Sequence, residues 1–142
     1  MKLALPHDCK KELRGKDLKA TPARLAAMKL FESSAHPLDV TAIITNLKKQ
    51  HITIDPATAF RMVNTFTDKG LTKQIQFFEG KYRYELSSKL DHHHLVCEVC
   101  GNIEDVSDCS LKPLEKQIKR QQKFLVKHHS LEFYGICENC RT

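Results

Sequence analysis

The 142-residue sequence has no tryptophan and only five glycines and five prolines, too few for a collagen-like or low-complexity chain. No apolar run nears the roughly 20 residues a bilayer span needs, so no membrane partner is expected. Residues 1–11 are broken by Pro6, His7 and Asp8 and lack the apolar centre of a signal peptide, which makes the cytoplasm the expected location. There is no repeat of fixed period. Hydrophobic residues at 41% and charged residues at 28% describe a folding chain, long enough for one ordinary domain or two small ones. Cysteine is scarce over the first two thirds, where Cys9 stands alone, and the other five lie after residue 96. In a reducing cytosol that clustering points to metal or redox chemistry rather than disulfides.

Charge is divided as well. Residues 1–86 carry 15 Lys/Arg against 9 Asp/Glu, and residues 87–142 carry 8 against 8. The whole net charge of +6 therefore lies in the first part, as expected if that part meets a polyanion.

The same part reads as helix, helix, helix and hairpin. Thr21 and Pro22 suit the cap and first position of a helix, and Leu25, Met28 and Phe31 follow at helical spacing. A second helix starts near Asp39, with Val40, Ile43, Ile44 and Leu47 as its apolar stripe. Asp55 and Pro56 open a third, with Ala59, Met62, Val63 and Phe66 turned inward. Its other face presents Ala57, Arg61, Asn64 and Thr65, with Phe60 on the flank, and Gly70 ends it. Residues 71–78 and 81–86 then form a hairpin around Glu79 and Gly80. The order suits a helix-turn-helix with a wing, in which Arg61, Asn64 and Thr65 read bases. Residues 87–91 read as a hinge. Beyond it come strands over 92–97 and 102–106, a helix over 110–122 with Leu111, Leu114 and Ile118 on one face, and a last strand over 124–136. The expected fold class is α+β: a winged-helix domain over 1–86 and a second α/β domain over 92–142.

Two Cys-x-x-Cys pairs, Cys97/Cys100 and Cys137/Cys140, carry the strongest chemical signal. Two intervening residues let both thiolates turn onto one ion, and two such knuckles complete a tetrahedral sulfur site suited to structural zinc. Gly101 and Gly135 beside them favour tight turns. The second signal is Asp91-His92-His93-His94. On a strand His92 and His94 share a face and His93 takes the other. With Glu85, Asp105 and His36 as partners, His92 and His94 would suit Fe(II), Mn(II), Co(II) or Zn(II); a surface histidine cluster, or core histidines bonded to backbone, is the alternative. His93 could serve a further site with Asp91 and with His128 or His129. No catalytic residue is expected: a zinc deaminase needs His-x-Glu ahead of Pro-Cys-x-x-Cys, and neither is present. Cys9 and Cys109 read as ordinary residues.

Together these motifs resemble a known family. His92-His93-His94-Leu95-Val96-Cys97-Glu98-Val99-Cys100-Gly101 resembles the signature of ferric uptake regulators, Asp55-Pro56-Ala57-Thr58-Ala59-Phe60-Arg61 their recognition helix, and Leu18-Lys19-Ala20-Thr21-Pro22-Ala23-Arg24 the start of their first helix. His128-His129-Ser130-Leu131-Glu132-Phe133-Tyr134-Gly135-Ile136-Cys137 resembles their closing strand. The resemblance implies a homodimeric repressor on a palindromic double-stranded DNA operator, with a C-terminal dimerisation domain. It implies structural Zn2+ on Cys97, Cys100, Cys137 and Cys140, and regulatory Fe2+ or Mn2+ on His36, Glu85, His92, His94 and Asp105, with Zn2+ or Co2+ as substitutes. Asp91, His93 and His129 would hold a third ion. Lys19 would meet the minor groove, Arg24 a phosphate, and Phe60 and Arg61 the bases. The chain departs from the family where Phe60 replaces a tyrosine, and where Lys112 replaces an acid of the third site. No cysteine lies near Glu85, which disfavours zinc sensing, and no histidine-rich tail follows. Peroxide sensing through metal-catalysed histidine oxidation is the alternative within the family. A zinc-stabilised protein-interaction module that never touches DNA is the alternative outside it.

Overall fold

The computed structural model describes residues 8–77, 80–89, 92–106, 110–127 and 129–141. The chain divides into two compact units, residues 1–89 and 90–142. Leu90 and Asp91 of the expected hinge, and Cys109 and His128, lie outside the described residues.

The first unit contains α1 (Cys9–Gly15), α2 (Pro22–Ser33), α3 (Val40–Lys49), α4 (Pro56–Asp68) and the antiparallel pair β1 (Thr72–Gln76) and β2 (Tyr82–Leu86). Each helix begins on a side-chain cap. Asp8, Thr21, Asp39 and Asp55 accept from the backbone N–H of Lys11, Arg24, Ala42 and Thr58, and so satisfy donors that the first turn leaves open. Three helices also end alike. After α1, α3 and α4 the residues Asp17, His51 and Gly70 take left-handed backbone at φ of 59°, 61° and 77°. The next residue, Leu18, Ile52 or Leu71, donates its N–H back to Leu13, Leu47 or Phe66. This is the Schellman closure, and its apolar residue folds back onto the helix it ends. Only at Gly70 is the left-handed turn free of Cβ strain.

The apolar stripes meet in one core. Met28 and Phe31 of α2, Val40, Ile43 and Leu47 of α3, and Ala59, Met62, Val63 and Phe66 of α4 are buried together with Leu13, Leu71, Tyr84 and Leu86. Burying a large apolar side chain contributes about 1.5–3 kcal/mol. Helix α1 escapes the sequence reading because its seven residues hold just two inward positions, Cys9 and Leu13, too few to set a period. Residues 50–55 link α3 to α4 as the turn of a helix-turn-helix, and β1–β2 is the wing. Ties between the wing and the segment leading into α3 include the paired backbone hydrogen bonds of Leu38 and Tyr84, Arg83 Nη1 donating to the Pro37 carbonyl, and Lys81 with Asp39.

In the second unit β3 (His93–Cys97) lies between β4 (Ile103–Val106) and β5 (Glu132–Gly135), antiparallel to the first and parallel to the second. Helix α5 (Lys112–Gln122) follows β4, and a 3-10 turn over Glu138–Cys140 follows β5. The unit joins helix and sheet, so the whole chain is α+β. Three details differ from the sequence reading. The last strand is four residues long, not the stretch 124–136, because α5 ends on Lys123 in left-handed backbone (φ 51°) and residues 124–127 pair with no strand. Gly135 closes β5 with no positive φ, so it makes no tight turn, whereas Gly101 does at φ 75°. The face of α5 is not covered: Leu114 is exposed, and Leu111 and Ile118 are half-buried.

Candidate metal centres and nucleic-acid surface

The parallel pairing of β3 and β5 builds the sulfur cluster. Cys97 is the last residue of β3 and lies in register with Gly135, so both strands deliver their following turns to one end of the sheet. Cys97 and Cys100 come from the first turn, and Cys137 and Cys140 from the second. Gly101 N–H returns to Cys97 O at 2.9 Å, and Cys140 N–H to Cys137 O at 3.0 Å, so each Cys-x-x-Cys closes on itself. All four sulfurs lie within 4.8 Å of one another. Four sulfurs bound to one zinc at 2.3 Å sit about 3.8 Å apart along each tetrahedral edge. Cys100 Sγ and Cys137 Sγ are 3.8 Å apart, so the cluster fits the ion.

Its electrostatics point the same way. Backbone N–H groups of Cys100 and then Cys137 hold the Cys97 thiol down at about 6, so it carries charge at neutral pH. Hydrogen bonding to Cys137, with burial, pushes Cys140 up to about 12. Four thiols this close cannot all ionise without a cation, and zinc supplies two positive charges and takes all four as thiolates. No position is left for a reacting group.

The second cluster in this unit involves the histidines. The rings of His92 and His94 meet edge to face with centroids 4.8 Å apart. His94 is opposite Asp105 across β3–β4, with Nε2 at 3.9 Å from Oδ1. Donors about 2.1 Å from one ion sit roughly 3–4.2 Å apart, so this pair can share one. An imidazole and a carboxylate are donors that Fe(II) and related ions accept, and His92 stands beside the pair through its ring contact with His94. His93 points elsewhere: it is buried, and its ring centroid lies 5.2 Å from that of His129. His129 Nδ1 contacts Glu115 Oε1 at 3.0 Å. The sequence reading missed Glu115. It expected an acid at position 112 and found lysine, but one helical turn further along α5 an acid recurs, and that spacing was the available signal. Asp91, the remaining member of that set, is outside the described residues.

The first unit holds the other two residues singled out as metal ligands. Glu85 is in β2, buried, with its Oε1 3.3 Å from Lys73 Nζ. His36 is exposed in the loop before α3, where its backbone oxygen accepts from Ser34 Oγ at 2.7 Å and Lys89 Nζ holds the carbonyl of Ser34. The antiparallel bridge between Leu38 and Tyr84 carries this loop alongside the Glu85 end of β2.

Four of the six DNA-contact candidates, Lys19, Arg24, Arg61 and Thr65, share one surface. Lys19, Thr21, Arg24, Thr58, Arg61 and Thr65 line a shallow open groove between the start of α2 and α4. Arg24 Nη1 donates to Lys19 O at 3.1 Å, which holds the two cationic residues at the same rim. Phe60 is 49% exposed, an unusual place for a phenyl ring unless something packs on it, and Asn64 is exposed one turn on. A cationic rim and a presented helix suit the backbone and base edges of a duplex.

Comparison with known proteins agrees with this architecture. The sequence model of the ferric uptake regulator family matches residues 15–134. The ferric uptake regulation protein of Bacillus subtilis is 33% identical over 135 residues, covering 92% of this chain and 91% of that one. The peroxide-responsive repressor PerR of Staphylococcus saprophyticus is 32% identical over 130 residues, covering 91% and 86%. The crystal structure of the Vibrio cholerae ferric uptake regulator superposes with a TM-score of 0.80 at 30% identity, covering 92% of this chain and all of that one. With a family model spanning most of its length and relatives at this identity over nearly the full chain, the protein belongs to the ferric uptake regulator family, whose members are metal-responsive, DNA-binding transcription regulators.

Proposed function

We propose that the protein is a homodimeric repressor that closes on a palindromic operator when Fe(II) or Mn(II) binds His36, Glu85, His92, His94 and Asp105. What supports this reading is how the donors are distributed. His92, His94 and Asp105 belong to the second unit, and His36 and Glu85 to the first. A bound divalent ion supplies charge and directional bonds; the residues do the rest. His94 and Asp105, on neighbouring strands, hold a fixed pair of donors. His36 and Glu85 complete the set from the unit that carries the Arg24/Arg61 groove. Holding all five together sets the orientation of α4 relative to the sheet, and so the separation of two recognition helices in a dimer, which one turn of DNA fixes at about 34–36 Å. Ion and operator then favour each other by the same free energy.

The uncovered faces of the second unit suit the dimer. Leu114, Phe133 and Ile136 are large, apolar and exposed, and a second copy is the natural cover. Lys19 and Arg24 supply salt-dependent phosphate contacts, and Phe60, Arg61, Asn64 and Thr65 the sequence preference. A phenyl ring at position 60 can pack on a thymine methyl. A third, weaker site would draw on His93 and His129, with Asp91 as the expected acid. A regulator of this kind would meet its DNA in the cytoplasm. Peroxide sensing is the second reading, favoured by the relatedness to PerR and by Asp105 beside an oxidisable His94.

The test starts from duplexes selected out of a random library by the zinc-loaded protein with Mn(II) under anaerobic conditions. Replacing His92 and His94 by Ala should erase the Mn(II) effect on binding to the selected duplex while retaining one zinc per chain. A double variant that still responds to Mn(II) would rule out the assignment.

A further inference from the structure

The carboxylate of Glu85 has a cation of its own. Lys73 and Glu85 are register partners across β1–β2, so their side chains stand on one face of the wing. That face is opposite the core, since Tyr84 and Leu86 on either side of Glu85 point inward to it. Yet the Glu85 side chain is only 2% exposed, while Lys73 is 39% exposed, and Nζ lies 3.3 Å from Oε1. A carboxylate this buried requires a positive partner. The ammonium meets that need from the rim, on a flexible stem that can swing into water.

We propose that Lys73 is an internal competitor for the regulatory ion, setting the metal concentration at which the switch operates. The inference rests on Glu85 being a ligand. In the metal-free protein Lys73 balances the Glu85 charge and keeps the wing intact. A divalent ion on the same carboxylate brings two positive charges next to that ammonium. Lys73 must then leave, and its departure is subtracted from the affinity of the ion. Loss of the lysine removes this opposition, so the ion binds more tightly and the metal-free state is less stable. For charges this close, with one partner part-exposed and screened, the effect is about tenfold in affinity.

The test uses full-length, zinc-loaded protein and Mn(II) alone, titrated anaerobically by electron paramagnetic resonance for the wild type, Lys73→Met, Glu85→Gln and the double variant. Methionine keeps the stem of Lys73 and removes its charge. Lys73→Met should bind Mn(II) about tenfold more tightly, and should melt earlier than wild type without Mn(II) but not with it. In the Glu85→Gln background the same change should have no effect on Mn(II) binding. Unchanged affinity in Lys73→Met, with Glu85→Gln weakened, would overturn the competitor role and leave Glu85 a ligand. Weaker binding in Lys73→Met would make the lysine a positioning residue and also overturn it. Unchanged affinity in Glu85→Gln would remove Glu85 from the ligand set, and the inference with it.

Discussion

Of the buried apolar side chains among the described residues, nineteen belong to the first unit and two, Cys97 and Ile103, to the second. The second unit buries His93 and His94 instead, and leaves Leu95, Val99, Leu114, Phe124, Leu125, Phe133 and Ile136 exposed. The first unit is thus held by a core that its own sequence supplies. Among its described residues the second has little core, a lack that a metal on the four sulfurs and a cover for its apolar faces would make good. A small domain without a core needs such a clamp. The division suits the work proposed for each: one unit would present a rigid helix to DNA, and the other would respond to what it binds.

The comparison breaks most decisively at zinc. Replacing Cys97 by Ser should release the metal and unfold the second unit while the helices of the first persist, seen as retained helical circular dichroism with collapse of the amide resonances of residues 92–106. A second unit that stays folded without zinc would mean that its sheet is self-sufficient. The converse variant is Phe66→Ala, which opens a cavity in the first core. It should cost about 3–5 kcal/mol by denaturant titration and leave the zinc content at one per chain.

Smaller effects sharpen the picture within the first unit. Asp39 caps α3 and pairs with Lys81 of the wing. Burial alone would raise its pKa, but the Lys81 hydrogen bond and the Ala42 N–H outweigh that and hold it below the usual carboxylate value. Its stabilising contribution is therefore present above the unfolded-state pKa and lost as pH falls through the depressed folded one. Asp39→Ala should cost about 1 kcal/mol at neutral pH, and melting curves of variant and wild type should converge in acid. Smallest is His51→Gly. A β-carbon in left-handed backbone costs about 1 kcal/mol, so glycine should stabilise the closure of α3 by about 0.5–1 kcal/mol in the same assay.

The same contrast explains what could be read from the sequence. Stripes such as Ala59, Met62, Val63 and Phe66 were legible because a self-contained core writes its period into the chain, and the caps Thr21, Asp39 and Asp55 marked where each helix starts. The Cys-x-x-Cys pairs were legible because ligand spacing is local, although the parallel β3–β5 pairing that joins them is not. In the second unit periodicity misled. Leu111, Leu114 and Ile118 repeat like a core stripe but stay exposed or half-buried, and the apolar run of residues 124–126 pairs with no strand. A contact set by strand register, such as Lys73 with Glu85, leaves no mark on spacing, whereas Glu115 left only the one-turn offset from position 112.

In the proposed switch, one ion held by donors from both units governs the grip on DNA. The switch is tested most directly by the affinity of zinc-loaded, anaerobic protein for a selected duplex at fixed salt, with and without Mn(II). Tightening by about tenfold or more, equivalent to about 1.4 kcal/mol, is expected. Equal affinity in the two states, with zinc retained, would contradict the account.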